Sequence, residues 1–478
     1  MKGSDENFFK LLNSALADNI SWCESIEKIE RLSGGASQET YRIVAKTNSG
    51  DRLIALRRAP GGIPSDSTIG PGPGLAVEAK LMQLAQEAGV PEPEVYYIFK
   101  PEDGLGEGFA MEWLEGEALG AKIARSEEFK AIRKTLAYQC GVILARIHSI
   151  DLESTGLREE LETYSPADLI NNSWERYKGF ETPQPMIDYA ARWLLENVPD
   201  SYQEALVHND FRNGNFLINT NSIVAILDWE VSHIGDPMRD LGWICTNSWR
   251  FGRTEYPVGG FGTYVDLIAG YEEESGRKVE LEQIKYWEVM GSFWWAVGCL
   301  GMADHYRHGP DQTVERPGIG RRSSECQIDC VNLLIPGPAE LVKSTDLSVS
   351  REMPRLDELL ESVVDFLRAD VMSSTSGRTN FLSRVASNSI DIVIRDLSIG
   401  ESARKRELGR LQKYFSSAGD LDELRWRLVF GLRDGSINLE DEFICNHLRQ
   451  TVVNQVAIDQ PKYSGFNTAI SARQISAT

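Results

Sequence analysis

The stretch from Val207 to Glu230, VHNDFRNGNFLINTNSIVAILDWE, sets a histidine, two aspartates and five asparagines around two short apolar runs. Phe216–Ile218 and Ile223–Leu227 have strand composition, and the Asn219–Ser222 segment between them is turn-forming. The pair reads as a hairpin. Asp210 and Asn215 lie on the loop that enters it and Asp228 lies where it ends, so the hairpin returns all three to one point. Clustered carboxylate and amide oxygens suit a hard cation such as Mg²⁺. Asn215 and Asp228 then serve as metal ligands, and Asp210 is left to orient a substrate hydroxyl and accept its proton. That is the chemistry of phosphoryl transfer, where positioning and charge neutralisation do most of the work. A buried polar turn that only satisfies its own hydrogen bonds would use similar residues, and Asn213 and Asn219 read as turn formers.

The spacing carries a resemblance. His208-Asn209-Asp210, four intervening residues, Asn215, and then Ile226-Leu227-Asp228 resembles the catalytic and metal-binding loops of the kinase-like fold. With His two before the Asp, Asp228-Trp229-Glu230 after the hairpin, and HIGDPMRDLGW from His233 to Trp243, the chain is similar to the aminoglycoside phosphotransferase and choline kinase superfamily. The resemblance implies ATP and Mg²⁺ as cofactors and a set of further roles. Asp240 anchors the loop from beneath. Ser33, Gly34 and Gly35 in LSGGASQETYRI cover the phosphates with backbone N–H groups. Arg57 in LIALRRAP grips the α- and β-phosphates where the family usually has lysine, a role that a planar guanidinium can fill. Glu78 is its ion-pair partner, and the backbone at Glu112 and Leu114 in AMEWLEG meets the adenine. Asn209 stands where the family usually has glycine.

These groups need a scaffold. The resemblance and the patterning together give an α+β chain with a bilobal protein-kinase-like fold, a small antiparallel sheet lobe and a larger helical lobe, followed by an all-α domain. A helix over residues 1–20 precedes three strands separated by turns, a helix begins at Leu75, and EVYYIF and GFAMEWL are two more strands. The expected divisions are a nucleotide lobe at 1–115, a catalytic and acceptor-binding lobe at 116–335, a Pro/Gly/Ser-bearing linker at 336–353, an accessory domain of amphipathic helices at 354–463, and a loose tail at 464–478.

LRRAPGG and the His233–Trp243 run are similar to a branch whose vertebrate members are fused to acyl-CoA dehydrogenases. Its bacterial members include kinases of 4-hydroxyacyl-CoA, as in levulinate catabolism. The C-terminal helices resemble a small protein encoded beside such kinases. The expected acceptor is therefore the hydroxyl of a short or medium 4-hydroxyacyl-CoA. An aminoglycoside, choline, homoserine or sugar-like alcohol remains an alternative, as does a catalytically weak ATP-binding pseudokinase or scaffold. Arg316, Arg321 and Arg322 are candidate contacts for CoA phosphates, and Trp243, Trp249, Trp287, Trp294 and Trp295 for an acyl wall. Surface ion pairs and core packing account for the same residues.

Composition narrows the partners. The formal charge is −21, with 71 acidic against 50 basic residues, which argues against nucleic acid or an anionic membrane as the main partner. A hydrophobic share of 42% supports a sizeable core. Neither a signal peptide nor a long apolar run is visible. Seven scattered cysteines fit a reducing cytoplasm, with Cys326 and Cys330 read as buried apolar residues rather than metal ligands. A small-molecule substrate is the expected partner, and a homo-oligomer is left open.

Overall fold

The structure, a computed structural model, describes residues 3–32, 38–62 and 72–475. The chain forms two compact units. The first comprises residues 1–165, 201–245 and 249–287, and the second 166–200, 246–248 and 288–478.

The first unit begins with helix Gly3–Asn19 and a five-stranded sheet of order β1-β2-β3-β5-β4. The strands are β1 (Ser25–Arg31), β2 (Glu39–Thr47), β3 (Gly50–Arg58), β4 (Val95–Ile98) and β5 (Gly108–Glu112), all antiparallel to their neighbours. Period-2 alternation gives the sheet one apolar face: Ile43, Ala45, Ile54 and Leu56 are fully covered or nearly so, packed with Leu12, Ala15 and Leu16 of the first helix. Helix Leu75–Glu87 buries Leu75, Ala79, Met82 and Ala85, a 3.6-residue stripe that also carries Glu78 inward. Gly89, at φ +83°, ends it ahead of Pro91.

Four short strands follow in this unit. β6 (Ala205–Val207) pairs with β9 (His233–Gly235), and β7 (Phe216–Ile218) with β8 (Ile223–Ile226), each antiparallel. Helices Arg133–Ile147 and Tyr264–Ser275 cross closely beneath them. A Cβ on Gly141 would lie 2.2 Å from the Leu267 carbonyl oxygen, and one on Gly270 2.1 Å from that of Tyr138. Only glycine allows this approach, which brings His148 and Tyr271 together under the loop described below.

The second unit is helical. Its core includes Leu424, Leu428, Ile444, Leu448, Val453 and Val456. Asp188, fully buried, is held there by Trp174 Nε1 (2.7 Å), Tyr177 Oη (2.9 Å) and Arg433 Nε (2.7 Å). The stretch expected to be a loose tail forms helix Ser464–Ile475 instead. Its Phe466 and Ala469, three apart, are buried, and Asn332 Nδ2 donates to the Gly465 carbonyl at 2.9 Å. Its small and polar composition hid those two anchors. The small antiparallel sheet, the helical remainder and the all-helical C-terminal region expected from the sequence are all present. No helix among the described residues is long and apolar enough to cross a membrane.

Candidate active site

The hairpin pairs Phe216 with Ile226 and Leu217 with Ala225. Its turn is locked by Asn219, whose Oδ1 accepts from the N–H groups of Asn221 (2.8 Å) and Ser222 (3.0 Å). The Leu227 N–H donates to the Asn215 carbonyl at 2.8 Å, which ties the exit of the hairpin to its entrance. Two residues here have left-handed backbones, Asn209 at φ 65° and Asp228 at φ 73°. Asn and Asp are the side-chain-bearing residues that tolerate this region best. Asn209 therefore meets the same backbone demand as a glycine, and it adds an Nδ2 bond to the Val231 carbonyl at 3.2 Å.

Asp240 holds the loop from below. Its carboxylate accepts from His208 N (2.8 Å), Asn209 N (2.7 Å) and His148 Nε2 (3.1 Å), and the His148 Nδ1 meets the Tyr271 hydroxyl at 3.0 Å. Burial pushes the Asp240 carboxyl up, but His148, His208 and the backbone donor outweigh it and hold it below the usual aspartate range. The anchor role expected for Asp240 is what the geometry displays.

Above it, Asp210 receives three side-chain donors. Trp243 Nε1 (2.8 Å) and Arg212 Nε (2.9 Å) reach Oδ1, and Asn215 Nδ2 (2.6 Å) reaches Oδ2. Trp243 lies on the short helix Met238–Cys245, edge-on to Trp249 at 5.1 Å between ring centroids. The Arg212 guanidinium sits over the Trp249 ring at 4.3 Å. Packing thus fixes the donors before any ligand arrives.

Arg57 on β3 links the sheet to the hairpin exit. Its Nη1 is 2.8 Å from Glu78 Oε1 and its Nη2 is 2.5 Å from Asp228 Oδ1, with Glu230 Oε2 at 3.8 Å and Gln38 accepting from Nε. One cation faces three acids. Burial pushes the Glu78 carboxyl up to about 7; Arg57 opposes this, while Asp228 and Glu230 add to it. Burial also pushes the Asp228 carboxyl up, but Arg57 and then Arg212 and His208 bring it below its ordinary value.

Asp210, Asn215, Asp228, Arg57 and Glu78 are therefore brought together. Glu112 ends β5 opposite Ile54, with its N–H bonded to the Glu94 carbonyl at 2.8 Å, and half-buried Leu114 follows two residues on. Ser33, Gly34 and Gly35 lie outside the described residues. Among the residues offered for CoA, Arg316 is buried and paired with Asp311 at 2.8 Å, and Trp287 is a core residue bonded to Asp236 at 3.1 Å. Trp243 serves Asp210. Cys326 and Cys330 are both buried, with thiols pushed upward by burial, and no group of three metal-ligating side chains occurs among the described residues. Sequence reasoning missed Arg212, Gln38 and Glu230 and offered Trp243 for an acyl wall rather than as a donor to Asp210. Arg212 was detectable as a cation two residues after Asp210; Trp243 and Gln38 come from distant positions with no local signal.

The residues fit a Mg²⁺ ion. Among the described residues, the Asn215 amide turns its Nδ2 to Asp210 and leaves Oδ1 without a protein partner, and Asp228 has only one oxygen engaged. Two hard oxygen donors thus have no protein partner among the described residues in a net-negative cluster.

Comparison with known proteins identifies the family and the fold. A family model described as a phosphotransferase enzyme family matches residues 28–276, just over half of the chain. A second model, of a domain of unknown function, matches residues 373–463. The chain is 30% identical over 221 residues to acyl-CoA dehydrogenase family member 10 of Mus musculus, covering 44% of this chain and 19% of that protein. It is 27% identical over 223 residues to acyl-CoA dehydrogenase family member 11 of Gallus gallus, covering 45% of this chain and 27% of that protein. The chain thus spans well under a third of either relative. A solved structure from Ralstonia eutropha, assigned to the aminoglycoside phosphotransferases, superposes with a TM-score of 0.53 at 20% identity, covering 66% of this chain and 95% of that one, so the fold is shared. The chain belongs to the phosphotransferase enzyme family.

Proposed function

We propose that this protein is an ATP- and Mg²⁺-dependent kinase of a small alcohol, most specifically the hydroxyl of a short or medium 4-hydroxyacyl-CoA. The observation that carries the reading is Asp210, a carboxylate fixed by Trp243, Arg212 and Asn215 beside the free oxygens of Asn215 and Asp228. Asp210 orients the acceptor hydroxyl and takes its proton as the acceptor oxygen bonds to the γ-phosphorus and the bond to the β–γ bridging oxygen breaks, releasing ADP. Arg57, aligned by Glu78, holds the α- and β-phosphates, and the backbone at Glu112 and Leu114 receives the adenine. Mg²⁺, held by Asn215 and Asp228, supplies neutralisation of phosphate charge. The acceptor rests on the acyl-CoA dehydrogenase family names of the matched relatives and on the likeness of the His233–Trp243 run. Residues 354–463 serve as an accessory domain in this reading.

One observation favours a second reading, a nucleotide-binding protein without turnover: Arg57 already grips Asp228 at 2.5 Å, where a metal ligand should be available. ADP release separates the two. With ATP and Mg²⁺, 4-hydroxypentanoyl-CoA should give ADP faster than choline, homoserine or kanamycin. Faster turnover of one of those three would overturn the acceptor, and ATP binding with no turnover on any alcohol would favour the second reading.

A further inference from the structure

A cavity of about 620 Å³ lies wholly within the second unit, among the segment 183–186, the end of helix Leu281–His308, and helices Glu401–Phe415 and Glu442–Asp459. That size suits a small-molecule ligand, for which pockets run roughly 300–1,000 Å³. Its lining is amphipathic. Met186, Leu300, Tyr306, Leu448 and Val452 contribute apolar surface. Arg307, Arg321, Arg404 and Arg425 contribute cations against only two carboxylates, Glu407 and Asp459, so this lining is cationic in a chain of net charge −21.

The carboxylates are already committed. Glu407 is buried and held by the Arg425 fork at 2.7 and 2.5 Å, and Asp459 is 3.3 Å from Arg321. Arg404 draws its partner, Asp396, from outside the lining at 2.8 Å, and no carboxylate partner of Arg307 occurs among the described residues. Buried His447 adds a donor. Its Nδ1 accepts from Arg410 Nε at 3.3 Å, which puts the ring proton on Nε2, a nitrogen with no protein partner among the described residues. Burial, with Arg410 and Arg425 adding to it, lowers the His447 pKa to about 3, so the ring stays neutral. Donors and positive charge thus exceed acceptors around a partly apolar space.

We propose that this cavity binds an amphipathic organic anion, with a phosphate or carboxylate head among Arg321, Arg404 and His447 and an apolar body against Met186, Leu300 and Leu448. The site is independent of the catalytic reading, whose residues all belong to the first unit. Calorimetric titration of the full chain with octanoyl-CoA, octanoate and inorganic phosphate tests it. At least one octanoyl probe should bind with micromolar affinity, and which one binds distinguishes a phosphate-bearing from a carboxylate head. Arg404→Glu, at a half-exposed position, and Leu300→Trp should each weaken that binding at least ~10-fold, with ATP binding and thermal unfolding unchanged. Asp210→Ala should leave it intact. Octanoyl probes that bind only in the millimolar range, binding unaffected by either variant, loss in only one of them, or binding of inorganic phosphate alone would each overturn the proposal.

Discussion

Two aspartates in this protein are held by nearly the same donors and do different things. Asp188, in the second unit, accepts from a tryptophan Nε1, a tyrosine hydroxyl and an arginine Nε; Asp210, in the first, accepts from a tryptophan Nε1, an arginine Nε and an asparagine Nδ2. The Asp188 side chain is 0% exposed and that of Asp210 is 15% exposed. Full enclosure makes the first a structural ion pair, in which every donor ends on the protein. Partial access, beside oxygens of Asn215 and Asp228 that have no protein partner among the described residues, leaves the second open to a ligand, as the proposed base must be. The identity of the donors does not separate structure from catalysis; solvent access and unspent valence do.

The contrast can be broken by substitution. Asp210→Ala should lower turnover by ~10²–10⁴-fold, the usual worth of a positioned base, with little change in thermal stability. Undiminished ADP release by the folded variant would end its assignment as the base. Asp188→Ala should do the reverse. It strands Arg433 beside a buried site and should cost ~3 kcal/mol in chemical denaturation, while protein that remains folded keeps its ATP affinity.

Glu78 offers a pH test. Its carboxyl titrates at about 7 in the folded protein against 4.5 ordinarily, so the folded state carries the extra proton between those values. Stability from this group therefore falls as pH rises through that window, because the unfolded chain ionises first. Arg57 meets a fully charged Glu78 only above about 7. Binding of ATP with Mg²⁺, followed by fluorescence titration, should weaken as pH drops from the alkaline side of that value to the acid side. Glu78→Gln should flatten the profile; an unchanged profile would remove Glu78 from the aligning role.

The smallest effect is expected at Trp243. Trp243→Phe keeps the ring packing but removes one donor from Asp210. The loss should be ~10-fold in kcat, about the worth of one hydrogen bond to a charged group, with KM for ATP unchanged. A parallel rise in KM would point to a general disturbance of the loop.

Much of the candidate catalytic cluster was legible because its signals are local. Asp210, Asn215 and Asp228 sit on one hairpin whose strands and turn are written in adjacent residues, and the Asp240 anchor belongs to a run that follows directly. The pairing of Arg57 with Glu78 was implied by the family resemblance, and the structure places the two side chains 2.8 Å apart. Helix Ser464–Ile475 was not, because two buried anchors in a small, polar stretch leave little pattern.

The sequence by itself determined which residue types stand at the hairpin, the strand and turn composition that closes it, and the family they mark. Tertiary structure alone decided that Trp243 and Gln38 complete the cluster, that Arg57 reaches Asp228 as well as Glu78, and that residues 166–200 join the C-terminal helices in one unit. Backbone preference acts over a few neighbouring residues and can be read along the chain. Hydrogen bonds and packing between distant segments depend on where the folded chain carries them, and no local pattern encodes that.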